Sequence, residues 1–233
     1  MTTSTSPTSS SSPLSERLQA VRKGIADAAR SAGRAPEELT TIVVTKFHPA
    51  SLVRELSELG VRDVGENRHQ EAQAKAAELA DLELRWHFVG QLQSKKARQV
   101  RQYASVIHSV DRVSLVDALR SDETSVDCFV QLNLTDDPAR GGVADSDLEP
   151  LVHHVLDTPG LRLLGVMAVA PLGVEPRRAF ARVREASERI RAIAPGAAAI
   201  SAGMSEDYPA AIAEGATHLR IGTAITGNRP ERR

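Results

Sequence analysis

Thr41-Ile42-Val43-Val44-Thr45-Lys46-Phe47-His48-Pro49 is the stretch on which the fold turns. Its first five residues are all β-branched and uncharged, the composition of a strand buried on both faces. Lys46 stands where that strand ends. An amine at such a strand end is expected to be partly desolvated, so its neutral form is more accessible than the usual lysine pKa of about 10.4 allows. A lysine that condenses with a carbonyl group needs that environment. From this stretch alone, a strand-terminal lysine pointing to water is the plainer alternative.

On either side the chain alternates regularly. Leu14, Leu18, Val21, Ile25 and Ala28/Ala29 recur at helical spacing and stop at Gly33. Strand patterns follow over 41–45, 62–64, 84–89, 105–109, 126–134, 161–169, 197–201 and 217–221. Helical patterns separate them at 49–59, through residue 80, then at 94–103, 113–119, 147–156, 175–193 and 206–214. Strands and helices alternating in this way predict an α/β protein, a (β/α)8 TIM-type barrel. Only 222–233 follow the last strand, too few for a full outer helix, and the surplus helix over 14–32 is placed to cover that gap. An open doubly wound sheet is the alternative, but its dinucleotide-binding form starts with a glycine-rich turn that Lys46-Phe47-His48-Pro49 lacks.

Composition narrows the function classes. The chain has 233 residues, 41% apolar and 25% charged, with a net charge of −1, so no global field favours nucleic acid or an anionic membrane. Aromatics make up 3%, little material for base stacking. The single Cys128 excludes an internal disulfide and a cysteine-rich zinc site, and fits a reducing, cytoplasmic location. No apolar stretch approaches the ~20 residues that span a bilayer. Residues 1–13, almost all Ser, Thr and Pro, read as a disordered tail with neither a basic nor an apolar signal region. Residues 14–233 read as one barrel domain.

In such barrels the chemistry lies where strands end and loops begin. Those positions carry Lys46, Gly65-Glu66-Asn67, His87, Gly90, His108-Ser109, Asn133, Met167, Ser201 and Arg220-Ile221-Gly222-Thr223. The loops after strands seven and eight are the usual phosphate site in this architecture. Here they are Ser201-Ala202-Gly203-Met204-Ser205, leading into a helix, and Gly222-Thr223. A lysine that traps carbonyls and a phosphate cradle on one rim suggest pyridoxal phosphate (PLP). Read blandly, the glycines are turn residues and Ser205 is a helix cap.

Seven ordered segments carry a family resemblance: Val43–Lys46, Gly65–Arg68, Trp86-His87-Phe88-Val89-Gly90-Gln91-Leu92-Gln93-Ser94-Lys95, His108–Asp111, Gly165–Ala168, Ser201–Ser205, and Gly215–Thr217 with Arg220–Thr223. The chain resembles the pyridoxal phosphate homeostasis proteins, which are similar to the N-terminal barrel of alanine racemase. The resemblance implies that Lys46 forms an internal aldimine with PLP. It implies phosphate contacts from Ser201, Gly222 and Thr223, Arg220 facing the pyridine nitrogen, and Asn67, His87 and Met167 around the ring. Phe47, Ala202 and Thr226 depart from the family's commoner residues without removing an implied ligand.

The resemblance implies a PLP carrier in vitamin B6 and amino-acid homeostasis, with apo PLP-dependent enzymes as candidate recipients. Neither nucleic acid nor membrane is an expected partner, and a monomer or weak dimer is expected. Arginine at the pyridine nitrogen leaves that nitrogen unprotonated and a weaker electron sink. Racemases of this arrangement then need two bases, and in alanine racemase the second is a tyrosine from another domain. Tyr103 is expected at the outer end of a helix and Tyr208 at the start of another, with nothing aiming either at Lys46. Robust turnover is therefore not expected; a PLP-dependent amino-acid racemase is the alternative.

Two other enzyme classes fit less well. A metal-dependent hydrolase would use His87 and His108 with Glu66 and Asp111, but no two histidines share a strand face, and His153 and His154 are adjacent on a helix. A cofactor-free aldolase would use Lys46 on the substrate, without an evident carboxylate partner. Lys95, Lys96, Arg98 and Arg101 read as a solvated helix face, and residues 136–142 as a mobile loop on the site rim, a candidate lid.

Overall fold

The computed structural model describes residues 12–135, 137 and 140–229. Among them, eight parallel strands close into a barrel in chain order: β1 (Thr40–Val44), β2 (Asp63–Glu66), β3 (Arg85–Phe88), β4 (Val106–Val110), β5 (Val126–Gln131), β6 (Leu161–Met167), β7 (Ala199–Ser201) and β8 (His218–Ile221). Closure comes from β1 pairing with β8, Thr40 opposite His218 through Val43 opposite Ile221. The outer layer is α2 (Ala50–Glu58), α3 (His69–Glu78), α4 (Ala97–Arg101), α5 (Val113–Leu119), α6 (Leu148–Leu156), α7 (Pro176–Ile193), α8 (Tyr208–Ala213) and the single turn α9 (Thr223–Thr226).

The surplus helix α1 (Pro13–Ser31) packs on α8 and α9. Its N-terminus is capped by the Ser12 hydroxyl, which accepts from Ser15 N, and Pro13 occupies the first turn, where a missing N–H costs nothing. Leu14, Leu18, Val21 and Ile25 form its buried stripe. Arg17 Nε donates to Ile225 O at 2.7 Å, and Arg34 Nη1 donates to Ala216 O at 2.6 Å. Of the residues expected in the tail, Ser12 and Pro13 belong to the helix start, and 1–11 lie outside the described residues.

Two apolar cores result. The larger fills the space between strands and helices, with Val43, Val64, Phe88, Ile107 and Phe180 among its members. A fully buried side chain of this size contributes about 1.5–3 kcal/mol. The smaller lies inside the barrel, where Val106, Phe129 and Met167 pack together. The barrel interior also holds a set of buried polar side chains, Ser201, His87, His108 and Arg220, and the site is built on them.

Differences from the sequence expectation fall at element ends. β5 stops at Gln131 rather than 134: Leu132 N still donates to Met167 O of β6, but Leu132 and Asn133 pair with Val143 in the following loop. The 94–103 helix is a 3-10 turn over Ser94–Lys96 followed by the short α4. α8 begins at Tyr208 rather than 206, because Pro209 lacks an N–H and belongs in a first turn. No helix among the described residues is long and apolar enough to cross a membrane.

Candidate functional site

Lys46 lies two residues past β1, at the C-terminal end of the barrel, and its side chain is exposed. The partial desolvation expected for it is absent, because the strand ends at Val44 and the lysine already stands in the turn. That turn is strongly held. Thr45 Oγ1 donates to Glu66 Oε1 at 2.7 Å, and Lys75 Nζ donates to Thr45 O at 2.9 Å and to Glu66 Oε1 at 2.6 Å. Phe47 N donates to Glu71 Oε2 at 3.2 Å. Glu71 and Lys75, one helical turn apart on α3, thus grip the backbone on both sides of Lys46.

Phe47 has φ +69°, the one non-glycine residue in the left-handed region among those described. Its ring lies 4.9 Å from the Arg68 guanidinium and 4.1 Å from that of Arg229, with Lys46 Nζ at 5.9 Å. Three cations around one aromatic ring hold the strained turn.

Arg220, on β8 beside β1, is buried at 5% exposure. Nη1 donates to Ser201 Oγ at 2.6 Å and Nη2 to Ala168 O at 2.8 Å. Among the described residues no carboxylate is in contact with it, and burial pushes it down to about 10, with Asp207 opposing from a distance. A guanidinium has five N–H donors, so acceptor capacity is still wanted there. A buried cation without a paired anion is costly, and such an arrangement suits an anionic ligand that carries a nitrogen lone pair.

Ser201 is fully buried between Arg220 and His108, whose Nδ1 is 2.8 Å from its Oγ. Ser201, expected to meet a phosphate, has its hydroxyl in contact with these two partners. Four residues on, Ser205 Oγ accepts from Ala224 N at 3.3 Å, at the start of α9. The hydroxyl that meets the Gly222–Thr223–Ala224 backbone is thus Ser205. Its loop is stitched to β8 by Arg220 N donating to Gly203 O at 2.9 Å. Gly203 has φ +91°, and a Cβ there would come within 2.8 Å of Ala211 Cβ. The sequence signal for Ser205 is its place after Gly203 in the loop that follows strand seven.

His87 is not at the rim. It is buried inside the barrel, Nδ1 2.9 Å from His108 Nε2 and Nε2 2.9 Å from Asp63 Oδ1. Met167 is buried against Val106 and Phe129. Asn67 is exposed at the end of β2, and its backbone abuts Gly90 so closely that a Cβ there would overlap the Asn67 carbonyl. Gly222 and Thr223 follow β8, Gly222 running beside Val44. Asp63, His87, His108, Ser201 and Arg220 form a connected polar chain that single-strand patterns do not reveal.

The remaining candidates have ordinary partners. Tyr208 lies with its hydroxyl against Gly24 of α1, on the outer layer, where a methyl on Gly24 would strike it. Tyr103 stacks on His69, 6.0 Å between rings, and burial raises its phenol. His154 Nε2 is 2.7 Å from Asp117 Oδ1. Arg101 is no solvated patch residue: it donates to Leu119 O, Gly160 O and Thr124 O, bolting loops together. Burial pushes the Cys128 thiol up to about 12. No group of three metal-ligating side chains occurs among the described residues. In the 136–142 loop, Asp136, Pro138 and Ala139 lie outside the described residues, while Gly142 N donates to Asp111 Oδ2 at 3.3 Å.

Residues 17–230 match the family model of the alanine racemase N-terminal domain. The chain is similar to the pyridoxal phosphate homeostasis protein of Corynebacterium glutamicum, 44% identical over 80% of this chain and 89% of that protein. With the protein of the same name from Pseudomonas aeruginosa it shares 40% identity, over 94% of this chain and 96% of the other. Among solved structures, PipY of Synechococcus elongatus with PLP bound is similar at a TM-score of 0.80 and 36% identity, covering 92% of this chain and all of that one, 100%.

Proposed function

The chain belongs to the family of pyridoxal phosphate homeostasis proteins, built on the alanine racemase N-terminal domain, and from that premise we propose that it binds PLP covalently through Lys46. It acts in intracellular PLP and amino-acid homeostasis, holding the cofactor and releasing it to apo PLP-dependent enzymes, without robust turnover. The observation that carries this reading is Arg220: a buried guanidinium with no carboxylate in contact among the described residues, on the strand that pairs directly with the one leading to Lys46. PLP supplies an aldehyde for the amine, a phosphate, and a ring nitrogen with a lone pair.

Each feature has a place for this chain's residues. The exposed Lys46 amine is free to attack an aldehyde, expelling water, while Glu71 and Lys75 hold its turn. Ser205, fixed by Ala224 N, and the N–H groups of Gly222 and Thr223 form the phosphate cradle, with Ser201 acting behind them through Arg220. Arg220 donates to the ring nitrogen and keeps it unprotonated, which weakens carbanion chemistry. Asn67 and Met167 flank the ring from the ends of β2 and β6.

A carrier needs no second base, and both tyrosines have other engagements, Tyr208 against α1 and Tyr103 against His69. Incubation of the PLP-loaded protein with L- and D-amino acids tests the distinction. Racemisation or transamination at rates typical of enzymes, about 1 per second or faster, overturns the carrier reading; retention of configuration supports it.

A further inference from the structure

The polar chain inside the barrel has ends that can each play only one part. Arg220 carries donors alone, and the Asp63 carboxylate only accepts. Because Arg220 Nη1 donates to Ser201 Oγ at 2.6 Å, the Ser201 hydrogen is free for His108 Nδ1 at 2.8 Å. His108 then keeps its proton on Nε2 and donates to His87 Nδ1 at 2.9 Å, and His87 Nε2–H donates to Asp63 Oδ1 at 2.9 Å. Every link is used once, and all point the same way. The opposite neutral tautomers would turn a bare His87 lone pair on the Asp63 carboxylate.

The surroundings favour neutral rings. His108 is fully buried and stacks on Phe129 at 4.6 Å. Burial, then His87, Arg220 of β8 and His218 of β8 all keep it well below the usual histidine value. His87 is lowered by burial, with Asp63 of β2 opposing, Arg85 of β3 adding and Asp127 of β5 opposing. Asp63 is the first residue of β2, at the barrel mouth opposite Lys46, and its side chain is 22% exposed.

We infer that Asp63, His87, His108 and Ser201 form a one-way hydrogen-bond chain running the depth of the barrel, which positions the Arg220 guanidinium for the cofactor's ring nitrogen. The inference rests on the role proposed above for Arg220. Asp63, His87 and His108 are positioning residues: none reaches the rim, and they act through Ser201. A change at the far mouth is therefore felt at the cofactor.

Nitrogen NMR of the unliganded, 15N-histidine-labelled protein tests the chain itself. At neutral pH His87 and His108 should both be neutral with the proton on Nε2. Asp63→Asn, whose amide can donate as well as accept, should destroy that uniform pattern and shift the pH midpoint of the visible band of the PLP-loaded protein. His108→Leu should lower PLP affinity about tenfold, and His108→Gln, which can accept from Ser201 and donate to His87, should restore most of it. Protons on Nδ1 in the wild-type protein overturn the chain. Uniform tautomers with a visible band and PLP affinity unmoved by Asp63→Asn and His108→Leu overturn its reach to Arg220. Should Asp63→Asn fail to fold, the two His108 variants decide the matter. The tautomer readout needs no cofactor, so it stands whether or not Lys46 binds PLP.

Discussion

Lys75 and Glu66 form a buried ion pair, Nζ to Oε1 at 2.6 Å, immediately behind the turn that carries Lys46. Both side chains are nearly inaccessible, and Glu66 Oε2 has no hydrogen-bond partner. Removing one member of such a pair strands the other charge, at a cost of about 3–5 kcal/mol. Lys75→Met should lose stability on that scale in urea unfolding and hold PLP less well. Adding Glu66→Gln should recover part of the loss. Equal stability of wild type and Lys75→Met would refute the pair's role.

Phe47 tests the strain in the same turn. A left-handed backbone costs a residue with a Cβ roughly 1–2 kcal/mol, whereas glycine normally costs 0.5–1 kcal/mol in unfolded-chain entropy. Both Phe47→Ala and Phe47→Gly lose the ring between Arg68 and Arg229, so their comparison isolates the backbone. Phe47→Gly should be the more stable of the two by about 0.5–1 kcal/mol in thermal melts. The reverse order would show that φ +69° carries no strain.

Gly90 sits where the ends of β2 and β3 touch, with no room for a Cβ beside the Asn67 carbonyl. Gly90→Ala should push the Asn67 loop outward and destabilise the protein by about 1–3 kcal/mol, the cost of overpacking. PLP affinity should fall with it. A variant with unchanged stability and affinity would mean that this close approach is not needed.

These relationships were unevenly legible in the sequence. The barrel was, because the β-branched run 41–45 and apolar runs such as 163–167 alternate with amphipathic stretches such as Pro176–Ile193, and glycines mark their ends. The interior chain was not. His87 and His108 are at strand ends in the pattern, but what each touches depends on inter-strand register: Gly65 beside His87 on β2–β3, and Ser201 across the barrel from His108. The exposure of Lys46 likewise followed from the strand ending at Val44, a boundary that two consecutive β-branched residues leave undefined. Ser201 and Ser205 are chemically alike, and only the packing of β7 against β8 separates the arginine's partner from the hydroxyl that meets Ala224 N.

Buried neutral histidines make stability pH-dependent. His48, His87, His108 and His218 are all lowered, each mainly by burial, His218 to about 4. Their folded values lie below the unfolded value of 6.5, so the unfolded chain binds more protons between the two. The stabilisation is complete above pH 6.5 and is lost as pH falls through the folded values. His218 alone should account for about 3 kcal/mol once pH is below about 4. Thermal melts from pH 7 to pH 4 should show a steep fall in Tm, and His218→Gln should flatten it. A Tm flat across that window in the wild-type protein would contradict the neutral assignments.

Reduction of the PLP-loaded protein with borohydride, followed by mass mapping of the labelled peptide, reads the central attachment directly. The label should fall on Lys46, and Lys46→Ala should yield colourless protein that takes up none. Label on Lys75 or Lys95 in place of Lys46, or an undiminished visible band in Lys46→Ala, would contradict the account.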